Sequence, residues 1–330
     1  MVANKIKRKE FITMVDINTI DLDPNKLIKY DLDCPGSIER KVKLTREEVM
    51  QQNRALVKMF LRNKRFEGCS MDTINTYNDV LVHFAFTMNK PVGDMRCNDI
   101  KNYIIDYQES HNVKQNSLEG IRRTLNSFFN WCEDEDYVLK NPMKKIKRIK
   151  GETVLKQPFT EEEVELIRDA CISMRELAIV DFLNTSGVRA SELVGLDIAD
   201  IDIDNRTGVV KGKGNKQRVI YFSETCKVHL KKYLRRRRDN NPALFITGNI
   251  PYRRLSKRGL EYMLQCISFR CNVQDVHPHR FRRTLATRLL VRGMPVEQVQ
   301  KILGHSKIET TLIYAKVSDQ DVRINHTKFA

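Results

Sequence analysis

The sequence predicts a mainly α-helical protein with a small β-sheet, divided into two domains. Three observations predict it. Apolar residues recur with helical spacing from Leu44 to Val138 and again from Phe159 onward. One stretch, "IDIDNRTGVVKGKGNKQRVIYF", breaks that period, with β-branched residues flanking a Gly-Lys-Gly-Asn turn. Between the helical runs, Asn141-Pro142 is followed by a strongly basic segment. The chain has 330 residues, enough for two cores.

Residues 1–43 mix charges around the turns "DLDPNK" and "CPGS". They read as an extension or arm without an assigned role. "LTREEVMQQNRALVKMFLRNK" opens the first helix, with Thr45 as its cap and apolar residues at 49, 50, 56, 57, 59, 60 and 61. "MDTINTYNDVLVHFAFTMNK", stopped by Pro91, then "CNDIKNYIIDYQES" and "NSLEGIRRTLNSFFNWCEDEDYV" complete four helices. Short loops between them predict a compact all-α domain over 44–143. Residues 144–156 read as a linker, and 157–330 as the second domain with a C-terminal tail. That domain opens at "FTEEEVELIRDAC", where Thr160 and Glu163 have capping-box spacing. The helix "MRELAIVDFLNTSG" is closed by Gly187, and "RASELVGL" opens another. The β-hairpin follows, with its tip near Gly212–Lys216. Helices resume at "CKVHLKKYLRRRR", "SKRGLEYMLQCISF", "PHRFRRTLATRLLVRG" and "VEQVQKILG".

Bulk properties narrow the function classes. Charged residues are 30% and hydrophobic residues 41%, the balance of a soluble protein. No apolar run approaches the ~20 residues of a membrane span. The N-terminal stretch carries no signal-peptide pattern, so a cytoplasmic location is the expectation. Eight cysteines lack a framework spacing and read as reduced thiols. Cys266, Cys271, His277 and His279 lie close in sequence, but their spacing fits no common zinc pattern. The net charge of +16 points to a polyanion, nucleic acid first. The charge is clustered: "NPMKKIKRIKGETVLK" holds six basic residues and one acid, and "KKYLRRRRDN" holds four consecutive arginines. Lys144, Lys145, Lys147 and Arg148 of the linker, with Lys216 and Arg218 of the hairpin, are the expected DNA contacts. A solvated hinge and a polar turn are the plainer readings of the same residues.

Several polar residues stand out in order along the second domain. Arg189 follows a glycine stop at the start of a helix, where free N–H groups favour an anion and a guanidinium would clamp a phosphate. An Arg189–Glu192 surface pair explains the same spacing. His279 and Arg282, three apart, share a helix face behind the rigid Pro278, although a histidine there is more often a cap or a core residue. The hairpin tip "KGKGNKQR" is not a P-loop, since no hydroxyl residue follows its lysine. Finally, "LGHSKIETTLIYAKV" places His305 after a helix-ending glycine and Tyr314 nine residues later. A phenol with a pKa near ~10 attacks poorly at neutral pH unless a site activates it.

Taken together, "TSGVRASELVGL", "GKGNKQR", "HPHRFRRTLAT" and "LGHSKIETTLIYA" resemble, in order and spacing, the motif boxes of the tyrosine recombinase (phage-integrase) family. The resemblance spans about 159–316, and residues 44–141 look like the family's SAM-like core-binding domain. It implies an α+β catalytic domain whose active-site set is Arg189, Lys213, His279, Arg282 and His305, with Tyr314 as nucleophile. Many members carry histidine directly after the second arginine, where this chain has Arg283.

The resemblance further implies strand exchange on double-stranded DNA through a 3′-phosphotyrosyl intermediate, by a homo-oligomer with a dimer on each site and a tetrameric synapse. Neither a metal nor another cofactor is implied. Integration or excision of a mobile element is the expected setting; Xer-type chromosome-dimer resolution and DNA inversion use the same architecture. Type IB topoisomerases share the chemistry, and a non-catalytic DNA-binding regulator on the same fold is the reading from another class.

Overall fold

The computed structural model describes residues 44–151, 157–212, 217–305 and 307–312. The expected arm at 1–43, the end of the linker, the hairpin tip and the segment from 313 onward lie outside the described residues. The chain divides into two units between residues 154 and 155.

The first unit is built from α1 (Arg46–Phe66), α2 (Met71–Thr87), α3 (Cys97–His111) and α4 (Gln115–Asp134). Thr45 caps α1 in a capping box with Glu48, so two orphan N–H groups at the helix start are satisfied at once. Phe60, Leu81, Phe84, Ile100, Leu125, Phe128 and Phe129 are sealed in the core. The buried Asn53 of α1 donates to the Lys90 carbonyl at 3.0 Å and accepts from the Val92 N–H at 3.0 Å, fixing the turn after α2. The start of the expected linker belongs to this unit. Asn141 caps a 3₁₀ turn over Pro142–Lys145, Ile146 and Ile149 pack on the core, and the Ile149 N–H donates to Glu119 at 3.0 Å.

The second unit contains α5 (Glu161–Asp169), α6 (Met174–Ser186), α7 (Ala190–Gly195), a three-stranded antiparallel sheet, α8 (Glu224–Arg236), α9 (Lys257–Cys271), α10 (Pro278–Val291), α11 (Val296–Leu303) and α12 (Glu309–Leu312). In the sheet, β2 (Thr207–Lys211) pairs with β3 (Gln217–Tyr221) as the expected hairpin, and the two-residue β1 (Ile201–Asp202) extends it beyond β2.

Helix α6 is the central element. Ala178 to Leu183 are all buried, because α5, α8, α10 and β3 surround it. Its one buried aspartate, Asp181, is matched by His229 of α8 at 2.5 Å and Arg168 of α5 at 3.1 Å, which offsets the cost of burying the charge.

Gly187 permits the close approach of α6, α10 and α11. Gly187 ends α6 at φ 60°, a left-handed conformation that favours glycine. A Cβ added there would lie 2.8 Å from Leu285 and 3.0 Å from Leu303. Those leucines belong to a small cluster, with Ala286 and Val299, that seats α11 on α10. Gly187→Ala is therefore expected to destabilise the second unit by about 1–3 kcal/mol, from strain plus overpacking. Urea unfolding followed by probes in each unit checks this: the second unit's transition moves to lower urea, and the first unit's does not.

Candidate active site

The site is built at the carbonyl end of α11. The last carbonyls of a helix have no intrahelical donors, and that end carries the negative pole of the helix dipole. Three arginines from three separate segments cap it on successive residues. Arg218 of β3 donates through Nε to the Ile302 carbonyl at 3.0 Å. Arg282 of α10 donates through Nη2 to the Leu303 carbonyl, and through Nη1 to the Gly187 carbonyl at 2.7 Å. Arg189, at the start of α7, donates through Nη2 to the Gly304 carbonyl at 2.9 Å.

One carboxylate serves two of these cations. Glu192 of α7 accepts from Arg189 Nη1 at 2.7 Å and from Arg218 Nη1 at 2.8 Å on the same oxygen, while its other oxygen accepts the Arg189 backbone N–H at 2.8 Å. Burial alone would raise the Glu192 carboxyl. The hydrogen bonds from Arg218 and Arg189 outweigh burial and hold it below its ordinary value. The Arg189–Glu192 pairing expected of a plain surface pair thus exists, but its carboxylate is only 2% exposed. At six residues, α7 is too short for its dipole to explain the position of Arg189. The Glu192 and Gly304 contacts explain it instead.

His305 follows directly. Gly304 ends α11 at φ 64°, which turns the chain sharply into the histidine. The His305 backbone is pinned by Gln300, whose carbonyl accepts its N–H at 3.1 Å and whose side chain donates to its carbonyl at 3.0 Å. The half-buried imidazole meets the Thr311 hydroxyl through Nδ1 at 2.9 Å. Burial, then the charges of Arg282, Arg189 and Arg218, push it down to about 4. Near neutral pH the ring is therefore uncharged. Where Thr311 donates to Nδ1, Nε2 carries the proton and can donate to a phosphate oxygen.

Exposure differs across the cluster. The side chain of Arg189 is 35% exposed, that of Arg218 12%, and residue Arg282 3%. Arg189 can meet a ligand directly. Arg218, expected on the DNA-facing hairpin, turns inward to Glu192 and α11. His279 is exposed on the first turn of α10. The cap of that helix is its neighbour His277, whose Nδ1 accepts the Arg280 N–H at 3.2 Å. Arg283 is half-buried, and its buried Nη1 has no hydrogen-bond partner among the described residues.

Lys213, Lys216 and Tyr314 lie outside the described residues. Lys144, Lys145, Lys147 and Arg148 are exposed on the first unit, with Lys144 paired to Glu133 at 2.6 Å. Among the described residues, no group of three or more His, Cys, Asp or Glu could hold a metal ion, and no helix is long and apolar enough to cross a membrane. Reading the sequence missed Thr311 and the inward turn of Arg218. Neither leaves a spacing signal, since both depend on where α11 ends in space.

Comparison with known proteins gives the family and the fold. The model of the phage integrase family matches residues 145–321, and that of the phage integrase N-terminal SAM-like domain matches residues 56–138. The tyrosine recombinase XerC of Staphylococcus haemolyticus is 32% identical over 265 residues, covering 77% of this chain and 89% of that protein. The XerC of Staphylococcus aureus strain MRSA252 is 31% identical over 276 residues, covering 80% and 92%. Among solved structures, the Tn1549 transposon integrase in complex with a circular intermediate DNA shares the fold, with a TM-score of 0.69 at 20% identity over 83% of this chain and 99% of that one.

The depressed value of His305 has a measurable consequence. A histidine held below its ordinary 6.5 is neutral in the folded protein and charges more readily when unfolded. Its contribution to stability is whole above about 6.5 and is lost as pH falls toward about 4. In the DNA-free protein, NMR titration of His305 is expected to show a midpoint near 4. His305→Gln should flatten the stability slope across that window. A midpoint near 6.5 would mean that the imidazole does not sit among the three arginines.

Proposed function

The chain belongs to the phage integrase family, and from that premise we propose that it cleaves and rejoins double-stranded DNA as a site-specific tyrosine recombinase. The observation that carries the reading is the convergence of Arg189, Arg282 and His305 on one helix end. Three guanidiniums face one carboxylate and the partial negative pole of α11, roughly half a charge, so the cluster keeps an excess of about +1.5. That excess suits a phosphodiester carrying one negative charge and gaining a second as a nucleophile adds.

In this mechanism the Tyr314 phenolic oxygen attacks the phosphorus, and its proton passes to a base, for which His279 is placed on the exposed first turn of α10. The bond from phosphorus to tyrosyl oxygen forms at the 3′ side, and the bond to the 5′ oxygen breaks. Lys213 protonates that leaving oxygen, which would otherwise depart as an alkoxide. Arg189, Arg282 and His305 stabilise the non-bridging oxygens as charge builds. The phosphotyrosyl bond retains the energy of the phosphodiester, so the 5′ hydroxyl of a partner strand reverses the step without ATP. Exchange between two strands requires several copies, a dimer on each site and a tetramer in the synapse. Integration or excision of a mobile element is the setting we propose. The XerC relatives favour a second, Xer-type resolution of chromosome dimers.

On a nicked suicide substrate the wild-type protein is expected to become covalently trapped, and Tyr314→Phe to bind the duplex without trapping. Trapping by Tyr314→Phe would move the nucleophile elsewhere, with Tyr221 and Tyr252 next to test. No trapping by wild type would favour a DNA-binding regulator. Sequencing the adduct's DNA separates the two settings.

Arg189→Ala or Arg282→Ala should slow cleavage by on the order of 10²-fold, as loss of a transition-state donor does. Lys213→Ala should slow it as well, and a 5′-thiol leaving group should restore much of the rate, because a thiolate departs unprotonated. An equally slow thio-substrate would remove Lys213 from the acid's role.

Neutralising Lys144, Lys145, Lys147 and Arg148 together is expected to flatten the dependence of log binding constant on log salt, by about 0.9 for each DNA phosphate that these four cations neutralise. An unchanged slope would place the DNA path elsewhere.

A further inference from the structure

We propose that Arg218 is a positioning residue of the active site, bracing Glu192 against the carbonyl end of α11 so that Arg189 and His305 present to one phosphate. The proposal rests on the recombinase reading above and goes beyond it, since it assigns a role to a hairpin arginine that looked like a DNA contact in the sequence.

Three observations carry it. The first is connectivity. Arg218 Nη1 and Arg189 Nη1 share one Glu192 oxygen at 2.8 and 2.7 Å, while Arg218 Nε holds the Ile302 carbonyl at 3.0 Å. Glu192 in turn fixes both the backbone and the guanidinium of Arg189. Without Arg218, the Glu192–Arg189 pair loses its tie to the Ile302 carbonyl and is joined to α11 only through Arg189 Nη2 and the Gly304 carbonyl.

The second is packing. A Cβ added to Gly304 would lie 2.7 Å from Arg218 Cδ and 3.1 Å from Nε. The Arg218 stem therefore fills the space directly against the residue preceding His305. Any displacement of that stem reaches the histidine through one peptide unit.

The third is cost. Arg218 Nη2 is buried and has no hydrogen-bond partner among the described residues. Holding a guanidinium this deep costs desolvation, and the bonds to Glu192 and the Ile302 carbonyl offset that cost only while all three groups keep one geometry. Arg218 commits its Nε and Nη1 to the Ile302 carbonyl and to Glu192, and the salt slope of duplex binding separates this bracing from a phosphate contact.

The test compares Arg218→Gln and Arg218→Lys with wild type on the nicked suicide substrate. Wild-type trapping must come first, since its absence defeats the recombinase reading whatever Arg218 does. Given trapping, Arg218→Gln should lower the cleavage rate at saturating protein by on the order of 10- to 100-fold, the cost of misplacing catalytic groups. Its dissociation constant for duplex and its salt slope should stay at wild-type values. The His305 midpoint should rise from about 4 toward 6.5, because one of three neighbouring cations is gone. Arg218→Lys keeps the charge and most of the stem but cannot bridge Glu192 and Ile302 together. It should keep the low His305 midpoint and still cleave slowly, and it serves alone if Arg218→Gln does not fold. Wild-type cleavage by a folded Arg218→Lys would overturn the proposal. So would a salt slope reduced by about one in Arg218→Gln, the mark of a residue that itself binds a phosphate.

Discussion

The carbonyl end of α11 is the constraint on which the candidate active site depends. Its last carbonyls have no partners within the helix and must find donors elsewhere. Arg218, Arg282 and Arg189 supply them at Ile302, Leu303 and Gly304. The relation is mutual. Three guanidiniums held this close repel one another, and the helix end, with Glu192, is what makes their proximity tolerable. The residual positive charge is then available to an anion. The hydrogen bonds that cap α11 are thus the same ones that hold the three guanidiniums together.

That double use demands tight backbone approach. Gly187 and Gly304 each adopt a positive φ, and each lies where a Cβ would collide with a neighbour that matters to the site. At Gly187 the neighbours are the leucines that seat α11 on α10. At Gly304 the neighbour is Arg218 itself. The glycines therefore act through the space they leave as much as through the turn they allow. Buried α6 supplies the fixed reference for both, held by its apolar surroundings and by the Asp181 bonds to His229 and Arg168.

Much of this was legible beforehand, for local reasons. Helix starts at Thr45 and Thr160 are written in capping residues three apart, and the stops at Gly187 and Gly304 in the residue that takes a positive φ most readily. The hairpin announced itself by a change of period. The sequence left His279 open between a site residue and a cap or core residue, and the structure gives the cap of α10 to His277, because the backbone before Pro278 aims that imidazole at the Arg280 N–H. The strand β1 is two residues long and has no period of its own to read.

By itself, then, the sequence determined the helical class, the hairpin, the two-unit division, and the order of basic and polar residues that marks the family. Those features follow from interactions between residues a few positions apart. The tertiary structure alone decided that Arg189, Arg218 and Arg282 cap successive carbonyls of one helix, that one buried carboxylate joins two of them, and that His305 is neutral beside them. Arg189 and Gly304 are 115 residues apart, Arg282 and Gly187 95, and Arg218 and Ile302 84. Hydrogen bonds over such separations leave no periodicity in the chain. They exist only once α6, α10 and α11 have packed and brought the end of one helix within reach of side chains from three other segments.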